Sequence, residues 1–189
     1  MLFRSFAGLA AQLRDAGFAV DAMLWLVADA TYIADLNAYD TTWADRRCLD
    51  VEEAWCNRSP TGAGVHGTHA DLAALVTGPR VVTAIGWTDF AKIAPLKPDA
   101  WLPQIYCTKT AAEKWHVDPR NSPQLAVVRY TAKLPAAPIE CAHAAYDLAP
   151  GTIAAAVASA GRCAGLAGHW WWALGQASDA TLREIGATA

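Results

Sequence analysis

The chain has little charge and no surplus of basic residues. Only 17% of its 189 residues are charged, and 15 Lys and Arg stand against 18 Asp and Glu, for a net charge of −3. The lack of a basic footprint argues against nucleic-acid binding, and the lack of a run of like charges argues against a charged tail or a membrane-surface patch. With 54% hydrophobic residues, the composition predicts a compact fold that binds neutral partners.

Long apolar runs and paired cysteines are missing as well. No apolar stretch reaches the ~18 residues that span a bilayer, and Arg14 and Asp15 interrupt the apolar N-terminal segment, which is therefore not a signal peptide. We expect a cytoplasmic location by default, or release with a lysis or export system. The 5 cysteines are scattered without a C-x-x-C pair, so we expect reduced thiols, no cysteine zinc site and no cofactor.

No glycine-rich phosphate loop follows any predicted strand, although strands and helices alternate along the chain. Apolar segments rich in Val, Ile and Trp alternate with Ala- and Leu-rich segments of helical period, which is typical of an α/β fold. The predicted strands span 19–28, 47–52, 81–87, 101–106, 139–146 and 166–173. The predicted helices span 6–16, about 30–39, a segment that starts after Thr68, about 124–134, 151–160 and a last segment to about 186.

Several predicted helix boundaries rest on capping residues. Gly17 is expected to end the first helix, and the Thr68 hydroxyl is expected to cap the third together with Asp71. Pro123, preceded by Ser122, is expected to open the next helix as its first-turn proline. Asp179 is expected to cap the last one.

Six strand-helix units favour a (βα) TIM-type barrel over a doubly wound nucleotide-binding sheet. A complete barrel of eight units usually needs ~250 residues, and this chain opens on a helix. We therefore expect a single barrel-like domain over 1–189 that lacks the first two strand-helix units. Strands 19–28 and 166–173 would then be open sheet edges, and we expect either self-association of the chain through these edges or closure of the sheet at a reduced strand number.

The second predicted strand ends in carboxylates. Asp50 and Glu52 are two residues apart, so both would point to one side together with Cys48, whereas Leu49 and Val51 would face the opposite layer. Two close carboxyl groups do not both ionise easily, so one can keep its proton near neutral pH and act as a general acid. A short D-x-E triplet is also compatible with a solvated strand end, and that alternative stays open.

The 9 tryptophans are unusually many for a chain of this size, and several fall where predicted strands end. An indole stacks on the C–H face of a pyranose while its N–H seeks a partner, which suits a cleft for neutral, amphipathic ligands. For any single Trp, core packing is the alternative. The pattern therefore indicates carbohydrate as a candidate ligand.

Other polar residues follow strands or form pairs. Gln104 is a candidate contact to a sugar hydroxyl because its amide both donates and accepts, and Asp147 either contacts a sugar or caps helix 151–160. The strand residues His143 and His169 would either meet inside the barrel or form a buried hydrogen-bonded pair. The pair His66 and His69 has no third ligand nearby, so helix-entry residues are favoured over a metal site.

The second strand resembles the fourth strand of the family 18 chitinases, which are glycoside hydrolase barrels. That family carries D-x-x-D-x-D-x-E, and Asp45, Cys48, Asp50 and Glu52 follow this spacing with Cys in place of one Asp. If two strands precede the chain's first, this strand would be the fourth of the barrel. The family 25 lysozymes are similar in the D-x-E alone.

The resemblance implies roles for individual residues. Glu52 would be the general acid, and Asp50 would orient an N-acetyl group that attacks the anomeric carbon. Tyr106 and Trp172 match a Tyr at the end of strand six and a Trp on strand eight, where they would support the acetyl group and form the floor of a sugar subsite. The implied substrate is a β-linked N-acetylated glycan such as peptidoglycan or chitin. The predicted substrate contacts are Trp172, Trp87, Gln104, Asp89 and Asp147.

Two departures keep a second class of function open. Cys48 removes an acid that would tune Asp50, and Glu53 adds a carboxylate that is either a solvated loop residue or the working acid. The chain is therefore either a glycoside hydrolase or a barrel that binds carbohydrate, or builds an assembly, without cleaving a bond.

Overall fold

The computed structural model describes residues 6–63, 65–85, 88–105, 123–144, 153–154, 157–158, 163–172 and 178–188. The strands are β1 (Asp21–Trp25), β2 (Arg46–Asp50), β3 (Arg80–Ile85), β4 (Ala100–Gln104), β5 (Ile139–Ala144) and β6 (Leu166–Trp172). The helices are α1 (Phe6–Asp15), α2 (Ala30–Ala38), α3 (Glu53–Cys56), α4 (His69–Leu75), α5 (Phe90–Ile93), α6 (Pro123–Lys133) and α7 (Asp179–Thr188), with a 3₁₀ turn at Ala94–Leu96. Within these ranges, no helix combines the length and the apolar character needed to cross a membrane.

The six strands form one parallel sheet whose spatial order follows the order of the chain, from β1 to β6. This confirms the predicted α/β class. The chain divides into two compact units, residues 1–82 with 88–99 and residues 83–87 with 100–189. The prediction of a single barrel-like domain over 1–189 stays a prediction.

In the first unit, helix ends follow the capping chemistry that the sequence predicted. The Thr68 hydroxyl accepts a hydrogen bond from the Asp71 backbone N–H, and the Asp71 carboxylate accepts one from the Thr68 N–H, which is a complete capping box at α4. Gly17 follows α1 with a φ of +89°, a conformation that favours glycine. These two sequence signals therefore located real boundaries.

Strands β1 and β2 present two different faces. They pair in register from Asp21 opposite Arg46 to Trp25 opposite Asp50, and aligned residues of parallel strands project to the same side. The Arg47 guanidinium donates to the carbonyls of Leu36 in α2 and Thr77 after α4, at 2.9 Å each, so its face is the one that the helices cover. Asp50 and Trp25 therefore lie on the face opposite α2.

The second unit is built around α6. The rings of Trp101 in β4 and Tyr130 in α6 meet edge to face with centroids 6.2 Å apart. Trp101 Nε1 donates to the Pro135 carbonyl at 3.0 Å, and the Tyr130 hydroxyl donates to the Ala84 carbonyl at 3.0 Å. Both rings are almost fully buried, and each satisfies its polar atom through the backbone, which fixes α6 against β4.

Two details of the predicted helices were wrong. Asp179 is the first residue of α7 and does not cap it, since the Ser178 hydroxyl accepts the hydrogen bond from the Thr181 N–H at 3.1 Å. The sequence also did not predict the helices α3 and α5, because four residues make a single turn and show no helical period. The helix predicted over 151–160 is helical at 153–154 and 157–158, its described positions.

Candidate functional site

Asp50 is the last residue of β2 and is buried, with 6% of its surface exposed. The register sets it beside Trp25 at the carboxyl end of β1 and sets the fully buried Cys48 beside Met23. Parallel α/β folds bind their ligands at the carboxyl ends of their strands, so the position of the Asp50 carboxyl group makes it the first candidate for chemistry.

Glu52 lies just beyond the regular strand. β2 ends at Asp50, and Glu52 occupies the N-cap position of α3 with φ −123° and ψ −145°, without a hydrogen bond from its side chain to the first turn. Its side chain is half-buried, whereas Glu53 in the first turn of α3 is exposed. The alternation predicted from Cys48 to Glu52 therefore runs two residues past the last residue of the strand.

Backbone hydrogen bonds fix the segment that carries Glu52. The N–H of Leu26 donates to the Asp50 carbonyl at 2.9 Å, and the N–H of Ala28 donates to the Ala54 carbonyl at 3.1 Å. Farther along the chain, the N–H of Thr61 donates to the Ala28 carbonyl at 3.2 Å. The apolar run after Trp25 thus bonds to the end of β2 and to α3, which is why β1 is shorter than the predicted strand 19–28.

Asp29 and Gly62 close this segment. The Asp29 carboxylate caps α2 by accepting from the Tyr32 N–H at 2.9 Å and also accepts from the Thr61 hydroxyl at 2.7 Å. These hydrogen bonds, that of Thr61 foremost, hold the pKa of Asp29 below its ordinary value. Gly62 follows with a φ of +113°, where a Cβ would overlap the Cβ of Ala30.

Asp89, predicted as a substrate contact, has structural partners. Its carboxylate caps α5 by accepting from the Ala91 N–H at 3.2 Å and lies 3.7 Å from the Lys92 ammonium. Lys92 in turn donates to the carbonyl of Cys56 in α3. Burial raises the pKa of the Cys56 thiol, so that side chain behaves as a packed group and not as a nucleophile.

Trp55 fills the space between α3, α4 and α5. It is fully buried, and its Nε1 donates to the Lys92 carbonyl at 3.0 Å. His69 packs edge to face on it with ring centroids 5.1 Å apart, and His69 Nε2 lies 2.8 Å from the Trp55 carbonyl. His69 therefore has the helix-entry role that the sequence favoured. Across the described ranges, no group of three potential ligands could hold a metal ion.

In the second unit, Gln104 is buried at the end of β4 and shares a face with two residues of the neighbouring strands. It aligns with Ala142 of β5, which aligns with Trp170 of β6. Glu140 lies on the same face, with its Cγ close to Gly168. Sequence reasoning missed Glu140, although its signal was available: a carboxylate that alternates with apolar residues in a buried strand.

His143 and His169 lie on the other face of the sheet, where the Trp101 side chain packs against α6. His143 Nε2 is 3.1 Å from His169 Nδ1, and the His143 ring also stacks on Trp171 at 4.7 Å. Burial, and secondarily His169, lowers the pKa of His143 to about 3. The predicted buried, hydrogen-bonded pair is confirmed, and its position on the α6 side sets it apart from the Gln104 face.

The remaining predicted site residues are described in part or not at all. Tyr106, Trp87 and Asp147 lie outside the described residues, and Trp172 is described only as the last residue of β6. Asp45 lies at the amino end of β2, where its carboxylate accepts from the Val20 N–H at 2.7 Å and from Arg14 at 2.9 Å. The first Asp of the D-x-x-D-x-D-x-E spacing is thus structural here.

Comparison of the chain with protein-family models, with curated proteins and with solved structures finds no match.

Proposed function

We propose that the chain is a glycosidase-like barrel that hydrolyses a β-linked N-acetylated glycan, peptidoglycan or chitin. The observation that carries the proposal is the buried carboxyl group of Asp50 at the carboxyl end of β2, on the face opposite α2, with the half-buried Glu52 two residues on. Parallel α/β barrels have their chemistry at the carboxyl ends of their strands, on side chains that point away from the outer helices.

The order of the strands supports a barrel over a doubly wound sheet. In a doubly wound sheet the strand order reverses at a switch point, where the ligand binds. Here the order runs from β1 to β6 without reversal, and right-handed crossovers in such a series carry every helix to the same face of the sheet. A barrel is the arrangement that buries the other face.

Glu52 acts as the general acid in the proposed reaction. It donates its proton to the glycosidic oxygen as the bond to the anomeric carbon breaks, and the carbonyl oxygen of the sugar's N-acetyl group attacks that carbon. Asp50 orients the N-acetyl group by accepting its N–H. Water then opens the cyclic intermediate, with Glu52 taking the water's proton.

One observation favours a second function, a barrel that binds carbohydrate or builds an assembly without cleaving it. Cys48 is fully buried at a motif position where the family 18 chitinases have a carboxylate. Without that second acid, Asp50 lacks the neighbouring carboxylate that would tune it, and catalysis would be lost while the binding surface stayed intact.

Substitution of Glu52 by Gln separates the two functions. If Glu52 is the acid, Glu52→Gln lowers the rate of hydrolysis of a chito-oligosaccharide or of peptidoglycan by about 10²- to 10⁴-fold and leaves sugar binding in place. Glu53→Gln is the matched control, because it removes the exposed neighbouring carboxylate and should leave the rate unchanged. Equal rates for Glu52→Gln and the parent chain would refute the assignment, and a loss in Glu53→Gln alone would transfer the role to Glu53.

A further inference from the structure

Trp25 differs from the other tryptophans whose surroundings are described in the first unit. It is 48% exposed, whereas Trp55 is fully buried. Among the described residues its indole N–H has no hydrogen-bond partner, whereas Nε1 of Trp43 donates to the Asp40 carbonyl at 3.2 Å and Nε1 of Trp55 to the Lys92 carbonyl at 3.0 Å. Trp25 thus offers both an aromatic face and a free donor.

The position of Trp25 is fixed by the sheet. It is the last residue of β1, aligned with Asp50 in the β1–β2 register, and the next residue, Leu26, donates its N–H to the Asp50 carbonyl at 2.9 Å. Neighbouring strands are about 4.8 Å apart and aligned side chains project to one side. The indole and the Asp50 carboxyl group therefore stand side by side on a rigid backbone.

We infer that Trp25 and Asp50 together form one sugar subsite, in which a pyranose ring stacks on the indole of Trp25 while its acetamido N–H or a hydroxyl donates to Asp50. An indole face attracts the C–H groups of a ring whose substituents are equatorial, and its N–H donates to a hydroxyl oxygen at the ring's edge. The subsite selects β-linked sugars of the gluco configuration, because an axial hydroxyl would interrupt the stacked face. This inference rests on the proposed function and assigns Trp25 to the sugar that Asp50 orients.

Calorimetric titration with chitotetraose tests the subsite. Glu52→Gln serves as the parent, so that the sugar is not consumed, and Trp25→Ala and Trp25→Phe are made in that background. The association constant should fall about tenfold in Trp25→Ala and much less in Trp25→Phe, which keeps an aromatic face. Tyr39→Ala is the matched control, because Tyr39 is a 54% exposed aromatic at the end of α2, and it should bind as the parent does. Circular-dichroism melting curves verify that each variant is folded.

The outcomes separate this inference from the proposed function. Binding that depends on Trp25 in a chain that hydrolyses nothing would retain the subsite and refute the enzyme. Glu52-dependent hydrolysis with unchanged binding and unchanged kcat/KM in Trp25→Ala would retain the enzyme and refute the subsite. The subsite is also overturned if the parent does not bind chitotetraose at millimolar concentration, or if Tyr39→Ala loses as much affinity as Trp25→Ala.

Discussion

Among single substitutions, Gly62→Ala should destabilise the segment that carries Glu52 most strongly. Its φ of +113° lies where residues with a Cβ are strained, and a Cβ there would overlap the Cβ of Ala30 at the start of α2. Thr61, the residue before Gly62, donates hydrogen bonds to the Ala28 carbonyl and to the Asp29 carboxylate. The backbone cannot rotate to relieve the overlap without breaking these bonds.

Two other glycines separate the contributions to the cost of Gly62→Ala. Gly67 has a φ of +86° but open space around it, so Gly67→Ala measures the backbone strain alone, about 1–2 kcal/mol. Gly8 is in α1 with open space around it, so Gly8→Ala should stabilise the chain by about 0.5–1 kcal/mol. Gly62→Ala adds to the backbone strain an overpacking cost of about 1–3 kcal/mol, for a total of roughly 2–5 kcal/mol.

The three variants are compared by urea unfolding followed by circular dichroism, and by thermal melting. At about 2–4 °C per kcal/mol for a chain of this size, a cost near 3 kcal/mol in Gly62→Ala lowers the Tm by roughly 6–12 °C. Gly67→Ala should lower the Tm by about a third to two thirds of that amount, and Gly8→Ala should raise it slightly. A Gly62→Ala variant as stable as Gly67→Ala would refute the close approach to Ala30 and the rigidity of the segment.

Three further results are expected. Arg46 pairs with Asp21 through two hydrogen bonds of 3.0 and 2.8 Å, and the Asp21 side chain is 2% exposed. Arg46→Met should therefore lower the free energy of unfolding in urea by about 3–5 kcal/mol, and adding Asp21→Leu should recover most of that loss. A double variant no more stable than Arg46→Met would contradict this. Burial lowers the pKa of His143 to about 3 in the folded chain, from 6.5, so below pH 6.5 the unfolded chain binds a proton that the folded chain does not. The stability that His143 contributes is therefore complete above pH 6.5 and falls below it by up to about 1.4 kcal/mol per pH unit. His143→Gln should reduce the pH dependence of the urea midpoint between pH 5 and 6.5, and an unchanged pH dependence would show that His143 is not the titrating group. Sedimentation equilibrium should show self-association through β1 and β6, the first and last strands in the sheet order, and a monomer at all concentrations would exclude it.

The sequence predicted the parts of the fold that depend on local chemistry. Thr68 and Asp71 are three residues apart, which is enough for a capping box whatever surrounds them, and the positive φ of Gly17 follows from the need to leave α1. Alternation along β2 predicted which side chains accompany Asp50. These signals act over a few residues, so they are readable without knowledge of the rest of the chain.

What the sequence did not predict depends on contacts between distant residues. Val27 continues an apolar run that looks like a strand, yet the N–H of Ala28 beyond it donates to the carbonyl of Ala54 in α3. The sequence also did not predict that Asp89 caps α5, because that helix has only one turn and shows no helical period. In the sequence, Trp25 is one apolar residue among several in a predicted strand. Its exposure could not be predicted, because it depends on which strand lies beside β1.

The strand order from β1 to β6 also bears on how the chain acquires its structure during synthesis. Each strand pairs with strands that are its neighbours in the chain, so a newly made strand finds its partner already outside the ribosome and does not wait for a segment still to be translated. In a doubly wound sheet, a strand made late must return past the first ones. Growth from the amino end adds each new strand at one edge of the sheet, beside the strand made just before it. The parallel β1–α2–β2 unit is therefore complete in sequence before β3 is made.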